Sequence, residues 1–353
     1  MHMSLTAKKW GKFFASALII FLTLFLLQRL LVPKYVADVV EGAFIAEYYD
    51  EVKDHDVIFI GDCEVYENFS PIILWQDYGI NSYIRGSAEQ YIFQSYYLLE
   101  DTLRYETPKV VIFNIQSLQF PESRNEAYNR MTIEGMKWSS AKVGAIRASM
   151  QEDEQFLSYV FPILRYHSRW SELTRDDIKY MFTSKKVSHN GYYMRVDVRP
   201  AKDVPEGKPL SDYSFDARSW EYLDKITTLC QQNGIELILI KAPSLYPYWY
   251  EQWDEQVVEY ADQHGLRYIN FLKLTQEIGI DYNTDTYDGG LHMNLSGAEK
   301  LSEWMGNYLI HEVGLSDRRD EKELCARWEE KIAFYEADKA AQYEYYGMET
   351  KED

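Results

Sequence analysis

Cysteine is scarce in this chain: three residues in 353, at Cys63, Cys230 and Cys325. They are too few and too scattered for a disulfide framework or a zinc site. Cationic side chains are also short, 37 Lys and Arg against 56 Asp and Glu, for a net charge of −19. That deficit argues against nucleic acid, whose binding relies on clustered Lys and Arg. A densely anionic polymer is likewise an awkward partner without cations to screen it. Internal repeats are absent. What is present suits a globular protein: 46% hydrophobic residues, and an aromatic share of 16% that includes thirty tyrosines. Tyrosine combines an apolar face with a hydroxyl, which suits a sugar- or polymer-binding surface and equally suits plain surface packing.

The longest apolar run lies near the start. From Phe13 to Val32 the chain is almost wholly apolar, with Gln28 and Arg29 near the far end. About 20 such residues span the hydrocarbon core of a bilayer, and Arg29 can reach back to the interface. Lys8, Lys9 and Lys12 precede the run, which predicts a cytoplasmic N-terminal end. Pro33, Lys34 and Tyr35 follow it in place of a small-residue cleavage site, so the expectation is a retained signal anchor with the rest of the chain outside the cell membrane.

Beyond the anchor, Val36 to His55 reads as an amphipathic helix leading into a first strand at Val57–Ile60. Further short apolar strands are expected at 81–87, 109–115, 235–241 and 266–271. Helical patterns fall between them at 88–105, 219–233 and 249–264, and a last helix runs from Ser296 to His311. Strands alternating with helices at this spacing predict βαβ units and a parallel sheet. The span from Phe120 to Pro209 breaks the rhythm and is expected to be an insertion that caps the active face of the sheet. Within it, Arg165, His167 and Arg169 form a basic-aromatic cluster, read first as a solvated helix face with Trp170 packed inward and second as a site for a carboxylate or phosphate. From Asp317 onward a charged, tyrosine-rich tail reads as one solvated helix with a frayed end.

Two stretches carry chemistry. Gly61-Asp62-Cys63 ends the first strand, where open α/β sheets present reactive groups. A thiol at a helix N-terminus becomes a good nucleophile if its pKa falls, yet Asp62 and Glu64 flank it and oppose the thiolate. Far downstream, His292 follows Asp285, Asp288, Gly289 and Gly290, and supplies a base with an acid to orient it. Cys230 reads as plain core, Cys325 has no evident role, and no ligand spacing supports a metal on Asp62, Cys63 and His292.

The order of these elements resembles the SGNH, or GDSL-like, hydrolase superfamily, and among its members the membrane-anchored proteins that work beside polytopic O-acyltransferases in envelope-polymer modification, such as the D-alanyl transfer and alginate acetylation proteins. The resemblance covers roughly Asp56 to Ile115 and Ser219 to Tyr308. In that family the first block is Gly-Asp-Ser, with serine as nucleophile; here Cys63 stands in its place. Gly86, in Arg85-Gly86-Ser87, fits the family's oxyanion-hole glycine by position. Asn114 is the nearest match to its oxyanion-hole asparagine, with Gln116 and Ser117 as alternatives, and the usual Gly-x-Asn-Asp is absent. His292-Met293-Asn294-Leu295-Ser296-Gly297 matches the late His-x-Asn-x-x-Gly. Asp288 lies four residues before His292 rather than three, so Gly289 and Gly290 are expected to bulge, with Asp285 as second choice of orienting acid.

The resemblance implies an α/β fold with a doubly wound, mainly parallel sheet of the three-layer flavodoxin-like kind, a helical insertion and an N-terminal transmembrane helix. Its expected layout is a cytoplasmic stub and anchor at 1–35, sheet domain at 36–119 and 211–315, insertion at 120–210 and tail at 316–353. It further implies acyl transfer or ester hydrolysis on the O-acyl groups of an envelope polysaccharide, through an acyl-enzyme on Cys63 with His292 as base. No cofactor is implied; the expected partners are the membrane, a polytopic O-acyltransferase and a carbohydrate polymer. Cysteine in place of serine leaves three readings open: a thiol transferase, a weak enzyme, or an inactive binding protein on the same scaffold.

Overall fold

Every residue of the first three strands is buried, and this is what their short, unbroken apolar runs demand of a sheet covered on both faces. The computed structural model describes residues 5–34 and 43–348. Its strands are β1 (Val57–Gly61), β2 (Ser82–Gly86), β3 (Val110–Asn114), β4 (Glu236–Lys241) and β5 (Arg267–Asn270). They form one all-parallel sheet in the order β2-β1-β3-β4-β5. The chain reverses direction across the sheet between β1 and β3, so a crevice opens beyond their carboxyl ends.

Alternation along each strand sorts side chains between two layers. Val57, Phe59, Ile112, Ile238 and Ile240 pack into one core cluster. That layer holds the short helix α2 (Cys63–Tyr66), α3 (Pro71–Tyr78) and, later in the chain, the helix at Leu295–Tyr308. Ile58, Ile60, Val111, Phe113, Leu237 and Leu239 face the other cluster. There they meet α4 (Ile92–Thr102), which follows β2, and the helices at Ala217–Gln232 and Glu251–His264.

The N-terminal helix α1 runs Leu5–Leu31 and is long and apolar enough to cross a membrane, with its side chains largely exposed. The amphipathic helix expected at Val36–His55 is not formed as such. Residues 36–42 lie outside the described residues; after them only Phe44–Glu47 and the 3-10 turn Tyr48–Asp50 are helical, and the chain then extends into β1. Tyr48 is buried in the core beside Tyr83.

The insertion divides in three rather than capping the active face as a whole. Helices α5 (Glu126–Gly135) and α6 (Ser140–Ser149) build a small third core in which Ile133, Ala141 and Ile146 meet Ile45 and Leu98. The short helices from Ile163 to Lys179 lie against α1. There Trp170 is 71% exposed, the reverse of the inward packing expected for it. Residues 187–201 then form a strap. Ile84 N–H donates to Asn190 O (2.9 Å) at the open edge of β2, Leu295 N–H donates to Arg195 O (2.6 Å), and Arg199 N–H donates to Thr286 O (2.9 Å). The strap satisfies edge backbone groups and ties that edge to the loop carrying His292.

Helix α7 (Ala217–Gln232) precedes β4, α8 (Glu251–His264) follows it, and α9 (Leu295–Tyr308) follows the His292 loop. The charged tail is not solvated on all sides. Its helix α10 (Lys322–Tyr346) buries Leu324, Trp328 and Tyr335, with Trp328 stacked on Trp75 at 5.2 Å and Lys331 paired to Glu51 at 2.6 Å. Apolar residues spaced widely along a charged helix suffice for one docked stripe.

Candidate active site

Cys63 opens α2 directly beyond the carboxyl end of β1, and Asp62 caps that helix by accepting from Glu64 N–H at 3.2 Å. As the first helical residue, Cys63 has an N–H with no carbonyl one turn back to bond. The half-buried thiol opens on a cavity of about 360 Å³. Tyr91, Phe120, Pro247 and Leu291 give it apolar walls, Gln116 a polar one, and exposed Glu89 and Arg124 border it.

The loop before α9 brings the base to the thiol. Thr286 pairs with Met293 in an antiparallel bridge, and Met293 N–H donates to Asn68 Oδ1 at 2.8 Å, which ties the loop to the segment after α2. Gly289 and Gly290 take φ of 91° and 106°, backbone angles that other residues adopt only under strain. That turn lets the Asp288 carboxylate reach back. Its Oδ1 accepts from Leu291 N–H (3.2 Å) and His292 N–H (3.0 Å), and its Oδ2 lies 2.7 Å from His292 Nδ1. Asp285 is turned elsewhere, bonded to Asp281 N–H and Lys300, so Asp288 is the acid on the imidazole. Asn294 caps α9 through Gly297 N–H, so the Asn and Gly after His292 serve the helix start. His292 Nε2 has no hydrogen-bond partner of standard geometry, although the imidazole and the Cys63 thiol interact directly.

A second carboxylate stands at the same imidazole. Glu67 Oε2 lies 3.6 Å from Nδ1 and accepts a hydrogen bond from the Tyr287 hydroxyl, whose ring stacks along His292. Burial disfavours the imidazolium, but the Cys63 sulfur, Glu67 and Asp288 outweigh it and hold His292 well above the ordinary histidine range. Burial pushes the Cys63 thiol up to about 11; His292 opposes the shift, while Asp62 and Glu67 add to it. The lowered thiol pKa that would mark a ready nucleophile is therefore not found. At pH 7 a thiol of that pKa is thiolate to roughly one part in 10⁴.

Beneath the thiol lies a buried network. Lys241, at the end of β4, pairs with Glu64 at 2.9 Å and donates to Ala242 O at 2.8 Å. Asn114 Nδ2 donates to both Asp62 Oδ1 (3.2 Å) and Glu64 Oε2 (3.1 Å), while its Oδ1 accepts from Ala242 N–H. Both amide hydrogens of Asn114 are thus spent, which removes it from the oxyanion role expected of it. Gln116, buried on the cavity wall, has both side-chain polar atoms unpartnered. Gly86 lies level with Gly61 across the β1–β2 pair, where a Cβ would come within 3.1 Å of Gly61 O and the Tyr66 ring, so close packing favours a glycine there. Burial and the neighbouring Glu64 raise Asp62 to about 7 against the bond from Asn114.

Among the described residues, no group of three His, Cys, Asp or Glu is arranged to hold a metal ion. Glu67, Tyr287 and Lys241 escaped the sequence reading. Glu67 follows Cys63 by four residues, the spacing that returns to the same helix face, and Lys241 is a lone cation closing an apolar strand; both signals were present. No family model matches this chain and no curated protein matches it.

Proposed function

We propose that this protein is a membrane-anchored acyltransferase or esterase of SGNH type, with Cys63 as nucleophile, His292 as general base and Asp288 as its orienting acid. One observation carries the reading: the Cys63 thiol lines a cavity at the point where the sheet reverses its strand order, and it meets an imidazole that the Asp288 carboxylate holds at 2.7 Å. Neutral His292 takes the Sγ proton, and the sulfur attacks an ester or thioester carbonyl. Cys63 N–H and Gln116 Nε2 are the donors best placed for the oxyanion. Collapse expels the alcohol or thiol, which leaves with the proton from His292, and a sugar hydroxyl or water then releases the acyl group by the reverse sequence. The apolar cavity walls suit a short acyl chain. The envelope polysaccharide acceptor, the polytopic O-acyltransferase that delivers the acyl donor, and the extracytoplasmic placement of the domain all belong to this proposal and rest on the resemblance and on the lysines that precede the apolar run of α1.

The test uses full-length protein in detergent and an activated acetyl ester. Expected is an acetyl adduct on Cys63 that is lost in Cys63→Ala, slowed in His292→Ala and discharged faster when a sugar acceptor is present. An adduct that survives Cys63→Ala sinks the reading. A second reading, a binding protein on the same scaffold, is favoured by the high thiol pKa and by the spent amide of Asn114. Absence of any adduct in the parent protein at pH 9 decides for it.

A further inference from the structure

Between residues 156 and 182, Leu157, Phe161, Leu164, Trp170, Ile178 and Phe182 are each more than half exposed. Among the other described residues outside α1, only Val52, Trp138 and Tyr345 among the large apolar side chains reach that level. Scattered exposed apolar residues are normal, whereas a concentration of them marks an interaction surface.

Position identifies what covers this one. Ile163–Tyr166, His167–Ser171 and Arg175–Lys179 all contact α1. Arg169 Nη1 donates to Leu31 O at 2.7 Å, Arg29 Nε donates to Met181 O at 2.6 Å, and the Arg29 guanidinium stands 5.5 Å from the Phe182 ring. The segment is therefore fastened to the last turn of the spanning helix, where the apolar run ends and lipid headgroups begin. Its charge also differs from that of the whole. Residues 156–182 carry four basic side chains and three acidic ones, with Lys185 and Lys186 just beyond, in a chain of net charge −19. Apolar side chains beside an excess of Lys and Arg match the boundary between acyl chains and anionic headgroups.

We propose that residues 156–182 form a collar that lies in the membrane interface around the exit of α1, with its apolar side chains at the acyl boundary and its cations at lipid phosphates. The proposal rests on α1 spanning the bilayer. The bilayer is chosen as occupant because it surrounds this position whenever α1 is inserted. With two attachments, the domain is held in one orientation to the membrane rather than swinging on a single tether, so the mouth of the Cys63 cavity keeps a constant height.

The test is depth-dependent quenching on full-length protein in nanodiscs of phosphatidylcholine and phosphatidylglycerol, brominated near the headgroup end of the acyl chain. Difference spectra against Trp170→Phe and Trp10→Phe isolate two contributions. Trp10 lies in α1 and reports on the anchor; Trp170 reports on the collar, and its exposure makes phenylalanine harmless to packing. Expected is loss of most of the Trp170 contribution to the brominated lipid, with little loss to aqueous acrylamide. Quenching of Trp10 by lipid while Trp170 stays open to acrylamide overturns the collar and leaves the anchor standing, and this is the outcome if a protein partner covers the surface. Absence of lipid quenching at both positions overturns the anchor and the collar together.

Discussion

Two cations are buried at the sheet, and they differ in what surrounds them. Arg85 of β2 donates to Thr102 Oγ1 (3.0 Å) and Asp101 Oδ2 (3.4 Å), and its guanidinium lies 4.0 Å over the Tyr48 ring. Asp101 in turn accepts from the Tyr49 hydroxyl at 2.6 Å. Only Nε of the guanidinium lacks a partner, and aromatic rings close the site. Lys241 of β4 is as deeply buried and as well paired, to Glu64. Its network, however, reaches the wall of a cavity, where Glu64 leaves Oε1 without a partner beside Gln116, whose two side-chain polar atoms also lack partners. A buried ion pair is thus no mark of function by itself. Unpartnered polar groups in a cavity wall are the better sign, because a folded chain leaves such groups only where something else completes them.

The largest effect should separate the two sites by rate. His292→Ala should slow acylation of Cys63 by about 10²- to 10⁴-fold, the usual worth of a general base, whereas Arg85→Met should leave the rate in the folded protein unchanged. Mass spectrometry of the acetyl adduct over time measures both, and equal losses would erase the distinction.

Stability should show the converse. Arg85→Met leaves Asp101 buried without its cation, a loss of about 3–5 kcal/mol in denaturant unfolding. Lys241→Met should cost a similar amount and also reduce acylation, because Asp62 and Glu64 beside the thiol lose their counter-charge. A Lys241→Met variant with full activity per folded molecule would make the two cations equivalent.

A smaller effect concerns pH. Since Glu67 helps hold His292 above its ordinary range, activity should rise towards alkaline pH as the imidazolium loses its proton. Glu67→Gln removes one negative charge at 3.6 Å from Nδ1 and should move that limb to lower pH. An unmoved limb would show that Glu67 does not tune the base.

A further effect, on stability, isolates Asp62, whose folded pKa, raised to about 7, lies above its ordinary value of 3.8. The folded state therefore holds a proton that the unfolded state has lost, and stability falls as pH rises from about 4 to about 7. Asp62→Asn keeps the helix cap and removes this penalty, so it should match the parent near pH 4 and exceed it near pH 8. Parallel stability curves for parent and variant would place the Asp62 pKa near normal instead.

How much of this was legible in the chain follows from the range of each interaction. The apolar runs at 57–60, 110–115 and 237–240 have to become buried parallel strands, because their length and lack of alternation leave no exposed face. α1 is equally local, being defined by one unbroken run. Cys63 and His292 could be singled out because a Gly-Asp turn and a capped helix start are written in adjacent residues. Assignments that depended on distant partners could not be read that way. Asn114 and Gln116 both stand at the end of β3, and only the approach of Glu64 and Ala242 consumes one and spares the other. Trp170 and Trp328 look alike as aromatic residues in charged surroundings. The first is exposed beside α1 and the second is stacked on Trp75, because burial depends on which surface a helix meets. The titration of the site was hidden for the same reason. Local sequence placed Asp62 and Glu64 beside the thiol, but the fold turns Glu64 to Lys241 and brings Glu67 and Asp288 to the imidazole, and a pKa responds to charges through space rather than along the chain.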